Sequence, residues 1–385
     1  YTLGTRKQGW VTKPGSLLPV LQQGDNSMLF LLYGIATLVI TGVFVLLYFV
    51  NLSSARKALS YRLKGKRQNS FIKDVKELAD EKFHVSMMTL PVLGVLFITV
   101  LPIIFMILIA FTNYDREHQV PGNLFRWVGL TNFKNLLGGN SILSGTFSHV
   151  LGWTLVWAAI ATFSCYFLGI IVALMINKKG IRFKVVWRSI LVTTIAIPQF
   201  ISLLIMQNMF NYYGPINELF VSMGFGRVDF LTNNAMNARI VVLVVNLWIG
   251  IPYTMLITSG ILMNVPAELY ESAKIDGASA VQIFFKITLP YVLFVTAPYL
   301  ITQFIGNLNN FNVIFLLTGG APTTTEYYQA GKTDLLVTWL YKLTVNNYDY
   351  CLASTIGIFS FVVCAVISLL TYHRTSSYKK EEEFQ

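Results

Sequence analysis

An all-α, polytopic membrane protein is predicted by three observations. The chain is 54% hydrophobic and only 12% charged, against roughly 25% charged residues in soluble domains. Seven apolar runs, at about 28–50, 86–111, 150–176, 189–208, 239–263, 291–317 and 350–372, are long enough to cross hydrocarbon as helices. Lys and Arg alternate between the connecting segments. The segments 51–84, 177–188, 264–290 and 373–385 hold 9, 5, 2 and 3 of them, whereas 1–27, 113–149, 209–239 and 318–349 hold 3, 3, 2 and 2.

The side richer in Lys and Arg is the cytoplasmic one, and its densest clusters are Arg62-Lys64-Lys66-Arg67 and Lys178-Lys179-Arg182-Lys184-Arg188. Residue 1 is then outside and residue 385 inside. The chain begins at Tyr1, not Met, so an upstream span or a removed signal peptide is expected before it. The short connecting character of 1–27 favours the span. Next come an extra span at 28–50 and a cytoplasmic loop at 51–84. Within that loop, Ser70–Phe83 places Phe71, Ile72, Val75, Leu78, Ala79 and Phe83 as an interfacial amphipathic helix would. Residues 85–373 form a six-span core, and 374–385 are a cytoplasmic tail ending in the charge run Lys379–Gln385. Trp187 and Trp339 fall at span boundaries, as interface anchors do.

Several function classes are excluded. The net charge of +11 follows from the flanking clusters, which lack the interleaved aromatic platform of a nucleic-acid binder. Cys165, Cys351 and Cys364 give no disulfide framework. His84, His118, His149 and His373 have no metal-ligand spacing. Arg239 and Asp349 are the only charged candidates within the spans and lie at their ends, so no buried titratable relay for a proton-coupled carrier is visible. The energy for transport must come from another chain. Gly331-Lys332-Thr333 imitates the end of a phosphate-binding loop, but Glu326 stands where that motif needs its first Gly.

Between the fifth and sixth runs lies a polar hairpin, 264–290. Asn264 can cap a helix and Pro266 suits a first turn, while Glu268 and Glu271 favour the positive helix end. Asp276-Gly277 signals a left-handed C-terminal turn. A second short helix is expected over Val281–Thr288, stopping before Pro290. The hairpin suits insertion into a cleft on a partner, and spacing alone allows equally an amphipathic loop at the headgroups.

The second half of the core carries amides at membrane depth. Asn246, Gly250 and Tyr253 share one helix face at i, i+4, i+7, and Gln303, Gly306, Asn307 and Asn310 share another at i, i+3, i+4, i+7. Trp248, Tyr253, Tyr299, Phe304 and Phe311 accompany them. Amides offer donors and acceptors to hydroxyls, and aromatic faces pack on sugar rings. Polar residues in membranes also join helices to one another, which is the preferred reading for Asn309 and Asn312. Pro252 is expected to kink its helix.

Glu271-Ser272-Ala273, Gly277 and Ile287-Thr288-Leu289-Pro290 resemble the EAA signature of permease subunits in binding-protein-dependent ABC importers, with Ser272 in place of the usual Ala. Phe111-Thr112-Asn113-Tyr114, the stretch Trp127–Phe133 and the stretch Ala330–Val337 resemble carbohydrate permeases, above all the MalF type of maltose and maltodextrin importers. The resemblance implies a type I importer core of six helices plus one extra. It makes the hairpin a coupling helix, with Glu268, Glu271, Ser272, Ala273, Asp276 and Gly277 docking on the ATPase. It also implies that Asn246, Ile249, Gly250, Tyr253, Gln303, Gly306, Asn307 and Asn310 contact a neutral, maltodextrin-like oligosaccharide. Implied partners are a second permease subunit, two ATPase subunits and an extracellular binding protein, in the bacterial cytoplasmic membrane. The chain itself would be non-catalytic and without a cofactor, ATP and Mg lying on the ATPase. Two departures are expected to matter. The 113–149 loop lacks the large folded insertion of enteric members, so outer loops make a plainer contact with the binding protein. Gly306 replaces a bulky aromatic, which implies a roomier site for a longer sugar.

Overall fold

The computed structural model describes residues 3–5, 9–12, 18–22, 24–65, 70–119, 123–139, 141–178 and 180–373. The tail from 374 onward, with Lys66, Arg67 and Lys179 of the basic clusters, lies outside the described residues. The chain divides into two compact units, Tyr1–Phe133 with Asn347–Thr355 and Lys134–Asn346 with Ile356–Gln385.

The first unit opens with β1 (Gly9–Val11) paired antiparallel to β2 (Val20–Gln22). Helix α1 (Ser27–Leu63) starts where the Asn26 side chain accepts the N–H groups of Met28 and Leu29, a standard N-cap. Its 37 residues outrun the predicted 28–50, because the polar stretch from Asn51 is also a good helix former. The amphipathic element is α2 (Phe71–Ala79), capped by Ser70, with Ile72, Val75 and Leu78 exposed. Then come α3 (Phe83–Val95), a π turn at Leu96–Val100, and α4 (Leu101–Ile109).

Two of the stretches that resemble carbohydrate permeases fold onto each other here. Thr112 bridges Trp127, and the Val128 N–H reaches the Phe111 carbonyl at 2.8 Å. Asn132 Nδ2 donates to the carbonyls of Ala110 and Thr112, at 2.8 and 2.7 Å. Around them Leu31, Ile35, Ile109, Tyr114 and Phe125 make a core, with Tyr114 stacked on Tyr350 at 4.6 Å.

Helix α5 (Thr131–Leu137) leads into the second unit. Its frame is α6 (Ile142–Asn177) against α10 (Ala235–Leu262). Between them in sequence come α7 (Lys184–Ala196), α8 (Gln199–Met209) and α9 (Pro215–Ser222). After α10 come α11 (Ala267–Ile275), α12 (Ala280–Ile283), a π turn at Phe284–Thr288 and α13 (Leu289–Leu308). The last elements are α14 (Phe311–Leu317), α15 (Leu336–Val345) and α16 (Tyr350–Tyr372). Trp157, Ala158 and Ala161 of α6 pack with Val241, Val242 and Val245 of α10 and with Val313, Ile314 and Leu317 of α14.

Among the described residues, six helices are long and apolar enough to cross a membrane, or seven if α7 and α8 are one broken span. That pair, predicted as one run at 189–208, bends by 93° at Ile197-Pro198. Proline removes an N–H and drives its predecessor out of the helical region. Ile197 is accordingly extended, with φ −78° and ψ 129°.

Pro290, expected to end a short helix, does not. The N–H of Leu289 bonds back five residues to the Phe284 carbonyl, and this wider turn makes room for the proline ring, which in a regular helix meets the carbonyl four residues back. The other π turn likewise runs into a Leu-Pro pair, Leu101-Pro102. Pro252 lies inside α10, which continues through it.

Candidate functional site

Helices α6, α10 and α13 enclose, with the α7–α8 break, a cavity of about 350 Å³. Seven of the eight proposed sugar-contacting residues line it: Asn246, Ile249, Gly250, Tyr253, Gln303, Asn307 and Asn310. Gly306 is absent from the lining. It is exposed, and a Cβ built there meets open space.

The amides are tied into the walls. Asn246, only 7% exposed, points Nδ2 at Cys165 Sγ, 3.6 Å away. Asn307 Nδ2 donates to Thr162 Oγ1 at 2.9 Å, and the Asn307 backbone carbonyl accepts the Trp157 indole N–H at 3.1 Å. Asn310 Nδ2 donates to Asn307 Oδ1, while its own Oδ1 caps α14 by accepting the Val313 N–H. Such interhelical bonds average about 0.6 kcal/mol in membranes, enough in sum to fix side-chain direction. The Gln303 amide and the Tyr253 and Ser202 hydroxyls line the cavity without a hydrogen-bond partner among the described residues, which leaves them free to meet a ligand. The Tyr253 ring lies 6.3 Å from that of Tyr299, tilted by 30°.

Gly250 is required by packing as well as by the lining. A Cβ there would fall 2.5 Å from Cys165 Sγ, and one at Gly169 would fall 2.6 Å from Thr254 Cβ. These two glycines set how closely α6 and α10 approach. Asn309 bonds to Cys364 of α16 at 3.5 Å, and Asn312 to Gln199 Oε1 at 3.3 Å.

Sequence reasoning missed the α6 and α7–α8 walls. Thr162, Cys165, Tyr166, Thr194, Gln199 and Ser202 all line the cavity. The available signal was Pro198 inside an apolar run, followed at once by Gln199 and then Ser202. Thr162 and Cys165 gave none, since small weakly polar residues are ordinary in spans. Among the described residues, no Asp, Glu, Lys, Arg or His lines the cavity.

The hairpin is a second candidate site. Helix α11 begins after Pro266 rather than at Asn264. It ends in a Schellman turn: Gly277, at φ +76°, donates to the Lys274 carbonyl, and the Ala278 N–H reaches the Ala273 carbonyl at 2.9 Å. Ser279 and Gln282 then form a reciprocal capping box that starts α12. Glu268, Glu271, Ser272, Asp276 and Gly277 are exposed, and Ala273 is half-buried. Apolar Ile275 is 86% exposed. Tyr270 turns the other way, its hydroxyl 3.3 Å from Thr288 Oγ1.

The stretch that imitated a phosphate loop spends its polar groups internally. Gly331 N–H donates to Asp334 Oδ2, Lys332 N–H to the Pro322 carbonyl and the Thr333 hydroxyl to the Ala321 carbonyl. Asp334, 1% exposed, pairs with Lys342 at 2.6 Å. Burial pushes its carboxyl above the ordinary carboxylate range, with Lys342 pulling the other way. Arg239 donates twice to the Lys332 carbonyl and lies 4.2 Å over the Trp153 ring. No cluster able to hold a metal ion occurs among the described residues.

Comparison with known proteins bears on both sites. The chain is 36% identical over 359 residues to the galactooligosaccharides transport system permease protein GanP of Bacillus subtilis, covering 93% of this chain and 85% of GanP. It is 35% identical over 368 residues to the maltodextrin transport system permease protein MdxF of the same organism, covering 93% and 84%. Among solved structures, a bacterial ABC transporter involved in the import of the acidic polysaccharide alginate matches with a TM-score of 0.64 at 25% identity, over 78% of this chain and 97% of that one. Residues 165–377, which hold most of the cavity wall and the whole hairpin, match one family profile. The chain is therefore a member of the family of binding-protein-dependent transport system inner membrane components.

Proposed function

We propose that this chain is a permease subunit of an ATP-driven importer and forms half of the path for a neutral oligosaccharide of maltodextrin or galactooligosaccharide type. The observation that carries this is the chemistry of the cavity. It is walled by amides, hydroxyls and a tyrosine pair, with no charged side chain among the described residues. Hydroxyl-rich rings are matched by such a wall, whereas an uronate would leave its carboxylates without a cation. The hairpin docks on an ATPase subunit through Glu268, Glu271, Ser272, Ala273, Asp276 and Gly277. Two such ATPases, binding ATP and Mg, a second permease and an extracellular binding protein complete the assembly in the bacterial cytoplasmic membrane. Closure of the ATPases carries the hairpin with it and turns the cavity outward; hydrolysis resets it. The chain contributes binding and movement and no covalent chemistry.

The test is uptake into proteoliposomes of the reconstituted complex, comparing malto-, galacto- and uronate oligosaccharides with and without ATP, in wild type and Asn307→Ala. ATP-dependent uptake of a neutral sugar, reduced several-fold in Asn307→Ala, is expected. Equal uptake of the uronate, or uptake without ATP by a secondary-carrier route, would sink the reading.

A further inference from the structure

Two hydroxyls join the limbs of the hairpin. Tyr270 lies on α11 between exposed Leu269 and exposed Glu271, yet it is itself half-buried, and its phenol meets Thr288 Oγ1 at 3.3 Å, 18 residues on. Thr288 is 2% exposed and is the last residue of the π turn. None of the nine residues of α11 is fully buried, so little packing fastens this helix to α12 and the π turn. Directly beyond Thr288, Leu289-Pro290 opens α13, whose Tyr299, Gln303 and Asn307 line the cavity.

The π turn is the compliant point of this route. Its bonds span five residues instead of four, and Pro290 has no N–H to return to the carbonyl of Lys286, four residues before it. A push on α11 that entered only through the backbone at 276–288 would be taken up by deformation there. A bond from α11 to the far end of the π turn bypasses it.

We propose that Tyr270 is a positioning residue for transport, its bond to Thr288 acting as a strut that delivers displacement of α11 past the π turn into α13 and the cavity wall. The inference rests on the reading of α11 as the ATPase-docking helix. The distinguishing quantity is sugar taken up per ATP hydrolysed, which a role in folding alone leaves unchanged in whatever complex assembles. The reconstituted complex is assayed with the neutral oligosaccharide that wild type takes up, chosen between maltotriose and a galactotriose. Tyr270→Phe and Thr288→Val each lower the ratio about fivefold, the effect of one net hydrogen bond, while ATPase subunits stay bound. The double variant falls no further than either single one, and Thr288→Ser, which keeps the hydroxyl, matches wild type. An unchanged ratio in Tyr270→Phe overturns the strut, as does a double variant whose loss is the product of the two single losses, or loss of the ATPase subunits from the single variants. Failure of the docking reading itself looks different: Glu271→Lys would then retain both bound ATPase and normal uptake.

Discussion

The cavity wall and the hairpin are both polar islands in an apolar chain, and they dispose of their polar groups in opposite ways. In the wall, Asn246, Asn307 and Asn310 are bonded to Cys165, Thr162 and one another. The 318–349 ledge obeys the same rule, with Asp334 held by Lys342 and by the Gly331 N–H. In the hairpin, Glu268, Glu271 and Asp276 are exposed beside Ile275 and Val281, themselves 86% and 64% exposed. The internally bonded regions are built to hold a shape. The hairpin keeps carboxylates and large apolar side chains together on its surface, as the proposed docking on another subunit requires.

This contrast can be broken most severely at the ledge. Lys342→Met leaves Asp334 buried without its cation, and the chain loses about 3–5 kcal/mol, read as a lower thermal unfolding midpoint in detergent. Burial then outweighs the remaining hydrogen bonds from Gly331 and Thr338 and raises the folded-state pKa of the carboxyl above that of the unfolded chain. The folded state therefore holds a proton that the unfolded state releases, and the deficit shrinks as pH falls toward the ordinary carboxylate value. A deficit that grows on acidification would refute the assignment. At the hairpin the expected loss is functional. Glu271→Lys lowers ATP-driven uptake by more than about tenfold, with the unfolding midpoint unmoved and bound ATPase subunits depleted on purification. A displaced midpoint would place Glu271 among the shape-holding residues.

Smaller effects sharpen the comparison inside the cavity. Gly250→Ala puts a methyl against Cys165 Sγ and costs about 1–3 kcal/mol of overpacking, most of it recovered in the Gly250→Ala/Cys165→Ala pair. Without recovery, the glycine would serve something other than the α6–α10 approach. Least of all is expected from Gly306→Phe, which enters open space outside the lining and changes disaccharide and tetrasaccharide uptake by less than about twofold. Selective loss of the longer sugar would bring Gly306 back into the path.

Much of this was legible in the sequence, for identifiable reasons. Hydropathy accumulates over some twenty residues, so spans survive local errors. The faces through Asn246 and Gln303 follow from helical period alone, and Asp276-Gly277 announced its left-handed turn. The prolines were not legible. Pro198 breaks a span by 93°, and Pro290 comes after a π turn without ending its helix, because the fate of a proline depends on whether neighbouring residues re-satisfy the freed backbone. Nor could the sequence show that Asn246 faces Cys165, 81 residues away. Gly250 was read through resemblance as a sugar contact, and the structure adds that its missing Cβ makes room for a thiol.

The break at Ile197-Pro198 carries a final consequence. Peptide groups freed by a 93° bend within an apolar segment cannot face lipid, where each unsatisfied one costs several kcal/mol. They are tolerated beside Thr194, Gln199 and Ser202 because those residues border a cavity that admits water. The cavity is then wet beforehand, and the sugar proposed as its cargo would exchange one set of hydrogen bonds for another of nearly equal strength. Little net attraction remains to retain the cargo, and weak retention is what allows release on the far side.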